Sequence, residues 1–283
     1  MRVRRAEPEF KKNGKGLLMK IKFACAAAAV AVAFASNVAF ADDAPAPTPE
    51  FTVTGSAAIV SQYRFRGISQ SDNKPAVQAS VTVAHESGFY VSVWGSSASA
   101  GNSTVNIGGT EIDVYGGYTH AIGKSGITFD GGLYGYLYPG AAASEYFELY
   151  GSLTKAYGPV SAKVGLNWAP KQDYFTAANT ATKYNMYEYA ELSYAIPKLP
   201  ITLHGHIGHT GGGFNYVKEY LDFSAGASYK WKALTFDLSA VGTNIGKRDS
   251  MLAPLPDQTG TASPTQTYRA AKTVAVLSMT ASF

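Results

Sequence analysis

No stretch of residues 42–283 stays apolar for 18 residues, yet apolar side chains return at every second position through successive segments of about ten. These two facts together constrain the fold more than any motif. A helix repeats every 3.6 residues and cannot produce a period of two, whereas a strand turns alternate side chains to opposite faces. The clearest case is Ser61–Trp94, SQYRFRGISQSDNKPAVQASVTVAHESGFYVSVW. Tyr63, Phe65, Val77, Ala79, Val81, Val83, Phe89, Val91 and Val93 share one face, and Gln62, Arg64, Arg66, Gln78, Ser80, Thr82 and Glu86 share the other.

The same pattern predicts strands over 51–66, 75–86, 88–98, 110–120, 126–138, 144–155, 159–169, 184–195, 200–210, 218–230, 233–245 and 269–283, twelve in all. Short turns (Ser87-Gly88, Ala121–Ser125, Tyr157-Gly158, Pro197–Leu199, Trp231-Lys232) alternate with connections that are mostly longer and polar. An even strand count with short turns on one rim and long loops on the other is the layout of a transmembrane antiparallel up-and-down β-barrel. A closed barrel satisfies every backbone polar group inside the bilayer without a single apolar helix. The last strand places Thr273, Ala275, Leu277, Met279 and Ala281 on one face and ends that face on Phe283. An apolar alternate face with an aromatic C-terminus resembles the signal read by the outer-membrane assembly machinery, so Phe283 is the expected assembly signal.

The segment before the barrel divides into three. Residues 1–18 are a polar, basic extension ahead of a second initiator-like Met19. Residues 19–41 have a basic start (Lys20, Lys22), an apolar core and Ala39-Phe40-Ala41 before Asp42, the features of a secretory signal peptide. Residues 42–50, DDAPAPTPE, form a Pro/Ala-rich periplasmic linker. Residues 1–41 carry 8 of the 24 Lys+Arg and 2 of the 20 Asp+Glu, so residues 42–283 hold 16 basic and 18 acidic side chains, a net of −2. The basic balance of the full chain therefore belongs to its leader and gives no reason to expect a nucleic-acid partner. The single cysteine, Cys25, also lies in the leader, which leaves the barrel without disulfides, thiolate metal ligands or a thiol nucleophile.

The motif that opens the barrel carries a family resemblance. Ser61, Tyr63, Arg64, Phe65, Arg66, Gly67, Ser69, Gln70, Ser71, Asp72, Pro75, Ala76 and Gln78, followed by His85, Ser87, Gly88, Phe89, Tyr90 and Trp94, resemble the pattern of the TorF-type porins, also called the Gcw_chp family, of proteobacteria. Gln62 stands where an acidic residue is common, and Asn73 where Gly is common. The resemblance covers about 50–283. It implies an outer-membrane β-barrel with channel function and implies no substrate.

Placing charges by face and height predicts a basic lumen wall of Arg64, Arg66 and Lys272, flanked by Lys74 and Arg269, and an acidic wall of Glu111, Asp113, Glu148 and Asp222. Opposed walls set a transverse field across a constriction; the same charges can instead form salt bridges that fill a narrow barrel. Tyr115, Tyr134, Tyr136, Tyr138 and Tyr150 predict an aromatic track on the lumen face. In HGHIGH, His204 and His206 fall on the lumen face and His209 on the outer face, so no metal site and no cofactor is expected. No G-x-S-x-G sequence accompanies the outward His85 and His120, and no catalytic residues are assigned. The expected partners are outer-membrane lipid, the barrel assembly machinery and small polar solutes. The rival readings are a non-conducting adhesin or anchor barrel and a secreted β-sandwich.

Overall fold

The alternating segments close into one sheet. A computed structural model describes residues 49–98, 107–141, 144–174, 184–214, 217–252 and 264–283. Its elements in chain order are β1 (Phe51–Val60), β2 (Arg64–Phe65), β3 (Ile68–Ser69), β4 (Ala76–His85), β5 (Phe89–Ser97), β6 (Thr110–Ala121) and β7 (Ile127–Leu137). There follow β8 (Tyr146–Tyr157), β9 (Val160–Ala169), β10 (Asn185–Ala195), β11 (Ile201–Gly212), β12 (Tyr220–Trp231), β13 (Leu234–Thr243), α1 (Lys247–Leu252), α2 (Pro264–Ala271) and β14 (Val274–Ser282). Among the described residues, β1 and β4–β14 form a closed twelve-stranded antiparallel barrel, and β2 and β3 form a separate two-stranded hairpin. The extension 1–18, the signal peptide 19–41, most of the linker 42–50 and residues 253–263 of the last long loop lie outside the described residues.

Strands of 9 to 12 residues, tilted as barrel strands are, reach about 25 Å along the axis, the height of a bilayer's apolar band. The burial pattern is inverted relative to a soluble protein. Leu238 and Leu277 are 58% and 57% exposed on the outside, while Glu111 and Glu148 inside are 1% and 0% exposed. A band of exposed Val, Leu, Ile and Phe encircling the molecule requires hydrocarbon as its solvent.

The seam joins the first and last strands of the barrel. Ser56 to Val60 pair with Ser282 to Ser278, and Gly55 and Phe283 exchange backbone hydrogen bonds of 2.8 and 3.0 Å. The Phe283 ring lies over Gly55 on the outer face, where any Cβ would collide with it. A glycine here lets the terminal aromatic seal the junction.

The barrel strands match the predicted segments except at two places on the long-loop rim. The predicted strand 51–66 stops at Val60, and its last residues enter the hairpin β2–β3 inside the barrel. Tyr63 is therefore 7% exposed and packed against Trp94 rather than facing lipid, and Phe65 packs against lumen aromatics. The predicted strand 269–283 begins only at Val274. Arg269 lies on α2, and Lys272 is an exposed connector residue rather than a lumen-wall residue.

Candidate functional site: a lumen divided by an inserted lasso

Residues 61–75 leave the rim, fold inward and return, forming a lasso inside the barrel. The departure is pinned by Ser61, whose N–H donates to Leu277 O (2.8 Å) and whose Oγ accepts from the Leu277 N–H (2.9 Å). The SQSDN run closes the lasso on itself. Ser71 Oγ accepts from Tyr63 N–H (2.9 Å) and donates to Lys74 O (2.6 Å), and Ser69 Oγ accepts from Asn73 N–H (2.8 Å). Short polar side chains that bond nearby backbone favour turns over sheet, which is why the strand pattern breaks here. At the tip Arg66 and Gly67 adopt φ of 46° and 76°. A Cβ on Gly67 would meet Thr243 Cγ2, Gly242 O and Asp222 Cβ at 2.6–2.9 Å, so the tip sits directly against β12 and β13.

Three apolar anchors fix the lasso to different walls. Tyr63 packs with Val60, Ala76 and Trp94; Phe65 packs against the cluster containing Tyr136, Tyr146 and Phe214; Ile68 packs with Tyr220, Ile245 and the end of α2. Arg64 binds the outer edge of this assembly, donating to the carbonyls of Gly67 (2.7 Å), Ala270 (2.9 Å) and Lys272 (3.2 Å) and to the side chains of Gln62 and Asn73. A cation on the last carbonyls of α2 is favourably placed with respect to the helix dipole. Arg269, from that same helix, pairs with Asp72. The Asp72 carboxyl is held below the ordinary aspartate value: burial alone raises it, and hydrogen bonds from Arg269 and Lys74 outweigh that effect.

Arg66 spans the lumen. Its Nη2 donates to both oxygens of Glu148, at 2.8 and 2.6 Å. Glu148 is on β8, five strands from β1 one way round the sheet and seven the other, so the pair bridges opposite walls. Glu148 also accepts from Tyr136 (3.1 Å) and Asn167 (3.0 Å). The guanidinium carbon lies 4.2 Å from the Tyr187 ring centroid and 4.6 Å from that of Phe65. Burial lowers the proton affinity of Arg66, and Glu148 more than restores it, so the side chain stays charged. Breaking one partner of such a buried pair costs about 3–5 kcal/mol because the other charge is left uncompensated.

Around this latch the tyrosines form a ladder. Tyr115 stacks on Tyr134 (4.4 Å between centroids), Tyr134 lies 4.7 Å from Tyr136, and Tyr136 stacks on Tyr146 (4.3 Å). Tyr134 donates to Asp113 (2.9 Å) and Tyr138 to Glu111 (3.2 Å). Tyr150 bonds Tyr90, whose hydroxyl also donates to Asp130 (2.7 Å). The hydroxyls thus solvate the acidic wall, and the rings fill the space the lasso leaves. Of the predicted site residues, Arg66 and Glu148 come together, Glu111 and Asp113 lie side by side against tyrosines, and Asp222 touches the lasso tip. Arg64 turns to backbone carbonyls, and Lys272 joins no wall.

Sequence reasoning missed Tyr146 and Tyr174, which join the ring cluster, and Tyr187, which stacks with Tyr189 and faces the Arg66 guanidinium. It also missed the clasp between Arg269 and Asp72, which joins residues 197 apart. Tyr146 and Tyr187 share the lumen-facing parity of Glu148 and Asp222, a signal present in the sequence.

Below the lasso, toward the short-turn rim, the lumen opens into a polar cavity of about 1290 Å³. Serine and threonine line much of it, together with Asp130, Lys163, Glu191, His204, His206, Lys230 and Lys232. His206 bridges the cavity and the lasso platform: its Nε2 lies 3.1 Å from Asp222 and its Nδ1 3.5 Å from Glu191. His204 pairs with Asp237 at 2.5 Å. His209 sits on the outer face, 3.0 Å from Glu188.

A closed barrel with an apolar exterior and a polar, internally plugged lumen defines a transmembrane β-barrel of the up-and-down class. Residues 44–279 match the family model Gcw_chp, described as a bacterial protein of unknown function, and the chain belongs to that family. Among solved structures, the chain is similar to the KdgM porin in complex with disordered oligogalacturonate, at 11% identity and a TM-score of 0.49, over 82% of this chain and 99% of that one. It is similar to the NanC porin at 11% identity and a TM-score of 0.47, over 82% and 99%. It also resembles Salmonella typhi OmpF complexed with daunomycin, at 7% identity and a TM-score of 0.40, over 82% and 97%. No curated protein matches the sequence.

Proposed function

We propose that this chain is an outer-membrane channel for passive passage of small polar solutes or ions, closed toward the exterior by its own lasso. The observation that carries this reading is the polar cavity of about 1290 Å³ inside a barrel whose outer surface is apolar. A structural anchor has no need for a chamber of that size lined by serine, threonine and charged side chains, whereas a diffusion path does. The short-turn rim is then periplasmic, residues 19–41 act as the export signal, residues 42–50 lie in the periplasm, and Phe283 serves the assembly machinery as well as the seam. No catalytic role and no cofactor enter this reading.

The charge arrangement departs from a simple transverse field. Arg66 is consumed by Glu148, so it sets no field across the lumen. A second reading, a barrel that does not conduct, is favoured by one observation: the lasso tip makes close contact with β12 and β13. Liposome swelling separates the two. Folded barrel in proteoliposomes should admit small sugars, amino acids or nucleosides, and a variant with residues 62–74 replaced by a short Gly-Ser link should admit them faster. Absence of swelling with either protein, both shown folded by heat-modifiable mobility, would sink the channel reading.

A further inference from the structure

We infer that the cavity below the lasso is an anion-collecting chamber for small solutes bearing carboxylate or phosphate groups. The inference begins with a surplus of basic side chains on the cavity lining. Lys163, Lys230 and Lys232 line the cavity, and among the described residues none has a carboxylate within 4 Å. The carboxylates near the cavity are already engaged. Glu191 and Asp222 flank His206, Asp237 holds His204, and Asp130 accepts from the Tyr90 hydroxyl. Both nitrogens of His206 face carboxylates, and its Nε2 also lies 2.8 Å from the Tyr187 hydroxyl. What the cavity offers a solute is ammonium groups and hydroxyls, the donors that an oxyanion requires, against the carboxylate of Asp130, which its bond to the neutral Tyr90 hydroxyl leaves charged.

Aromatic rings place two of the ammonium groups: Lys163 lies along Tyr189, with Nζ 5.4 Å from the ring centroid, and Lys232 lies over the exposed Trp231 at the rim, at the same distance. Thr54, Ser152, Ser161 and Ser228 add hydroxyl groups around the cavity. Lys124 and Lys198, exposed on neighbouring short turns, extend the positive potential to the mouth. Above the chamber the lasso and its Arg66–Glu148 latch occupy the lumen, so an anion drawn in from the short-turn rim is held below them. Three lysines against Asp130 and Glu191 leave the lining with an excess of positive charge, and such an excess on low-dielectric walls raises local counter-ion concentration by roughly tenfold.

The inference rests on the channel reading only for which side the mouth faces. The chamber collects anions whether or not solute passes the lasso, so failure of swelling and failure of this test are separate results. Cys25 is the chain's single cysteine, so Ser228→Cys in a Cys25→Ser background provides one thiol inside the chamber. The experiment compares its labelling rates with an anionic (sulfonatoethyl) and a cationic (trimethylammonioethyl) methanethiosulfonate, each normalised to a free thiol. The anionic reagent should be favoured by roughly tenfold or more at low salt. That preference should fall toward one with added salt, which screens the lysines. Lys163→Gln, Lys230→Gln and Lys232→Gln together should also remove it, and inorganic phosphate should slow labelling only when the lysines are present. A normalised ratio near or below one in the lysine-intact barrel would overturn the inference. So would a preference that is indifferent to salt, a measurement that needs no further variant to fold.

Discussion

At the scale of single residues, the decisive contact is Arg66 with Glu148. Arg66→Ala should weaken lasso docking by about 3–5 kcal/mol, because a buried carboxylate loses its partner. Pairing Arg66→Met with Glu148→Gln should restore much of it. Hydrogen exchange of the amides in 61–75 reads the effect, and unchanged protection in Arg66→Ala would show that the pair does not hold the lasso. Asp72 gives a pH dependence of known sign. Its folded value is depressed, so its contribution is complete above the ordinary aspartate value of about 3.9 and is lost as pH falls through the lower folded value. With Trp168→Phe and Trp231→Phe in place, Trp94 emission should report this loosening through Tyr63, 5.3 Å away between ring centroids; a signal flat down to pH 2 would contradict it. Much of this site was legible by parity. Glu111, Asp113, Glu148 and Asp222 are buried inside the barrel on the parity that alternation assigns them, whereas Arg66 reaches the lumen because the lasso carries it there. Their partners were not legible, because a period of two fixes which way a side chain points and says nothing about what stands across the lumen.

At the scale of elements, the lasso is where the sequence pattern misleads. Tyr63 and Phe65 continue the parity of β1 because β2 is also extended backbone, so alternation alone cannot see that the chain has left the wall. The signal for departure is local: a positive-φ Gly67 after Arg66, then five residues of turn-forming SQSDN. Gly67→Val should be incompatible with the tip, since its Cβ would meet two neighbouring strands and its φ is unfavourable for a β-branched residue. The expected outcome is a folded barrel with a displaced lasso, seen as loss of amide protection in 61–75 alone; a lasso protected as in the parent would refute the tight-tip geometry. The strand that closes the barrel was easier to read, because β14 keeps a clean alternation to its end. Gly55→Leu should displace the Phe283 ring from the seam and reduce the yield of heat-modifiable barrel. An undiminished yield would mean that the ring does not help close the sheet.

At the scale of the whole molecule, closure explains why the architecture could be read from one sequence. Twelve alternating segments, an apolar outer parity and alternating short and long connections admit few other solutions once both faces must be satisfied. What closure does not determine is the content of the lumen, since a barrel of this size can be filled or open. Here it is both: latched around Arg66 in one half and hollow in the other. The most direct test is single-channel conductance in planar bilayers, comparing the intact barrel with one whose residues 62–74 are replaced by a short Gly-Ser link. The expected result is small or intermittent current from the first and larger, sustained steps from the second. Equal conductance from both, or none from a folded barrel freed of its lasso, would contradict a channel closed by that lasso.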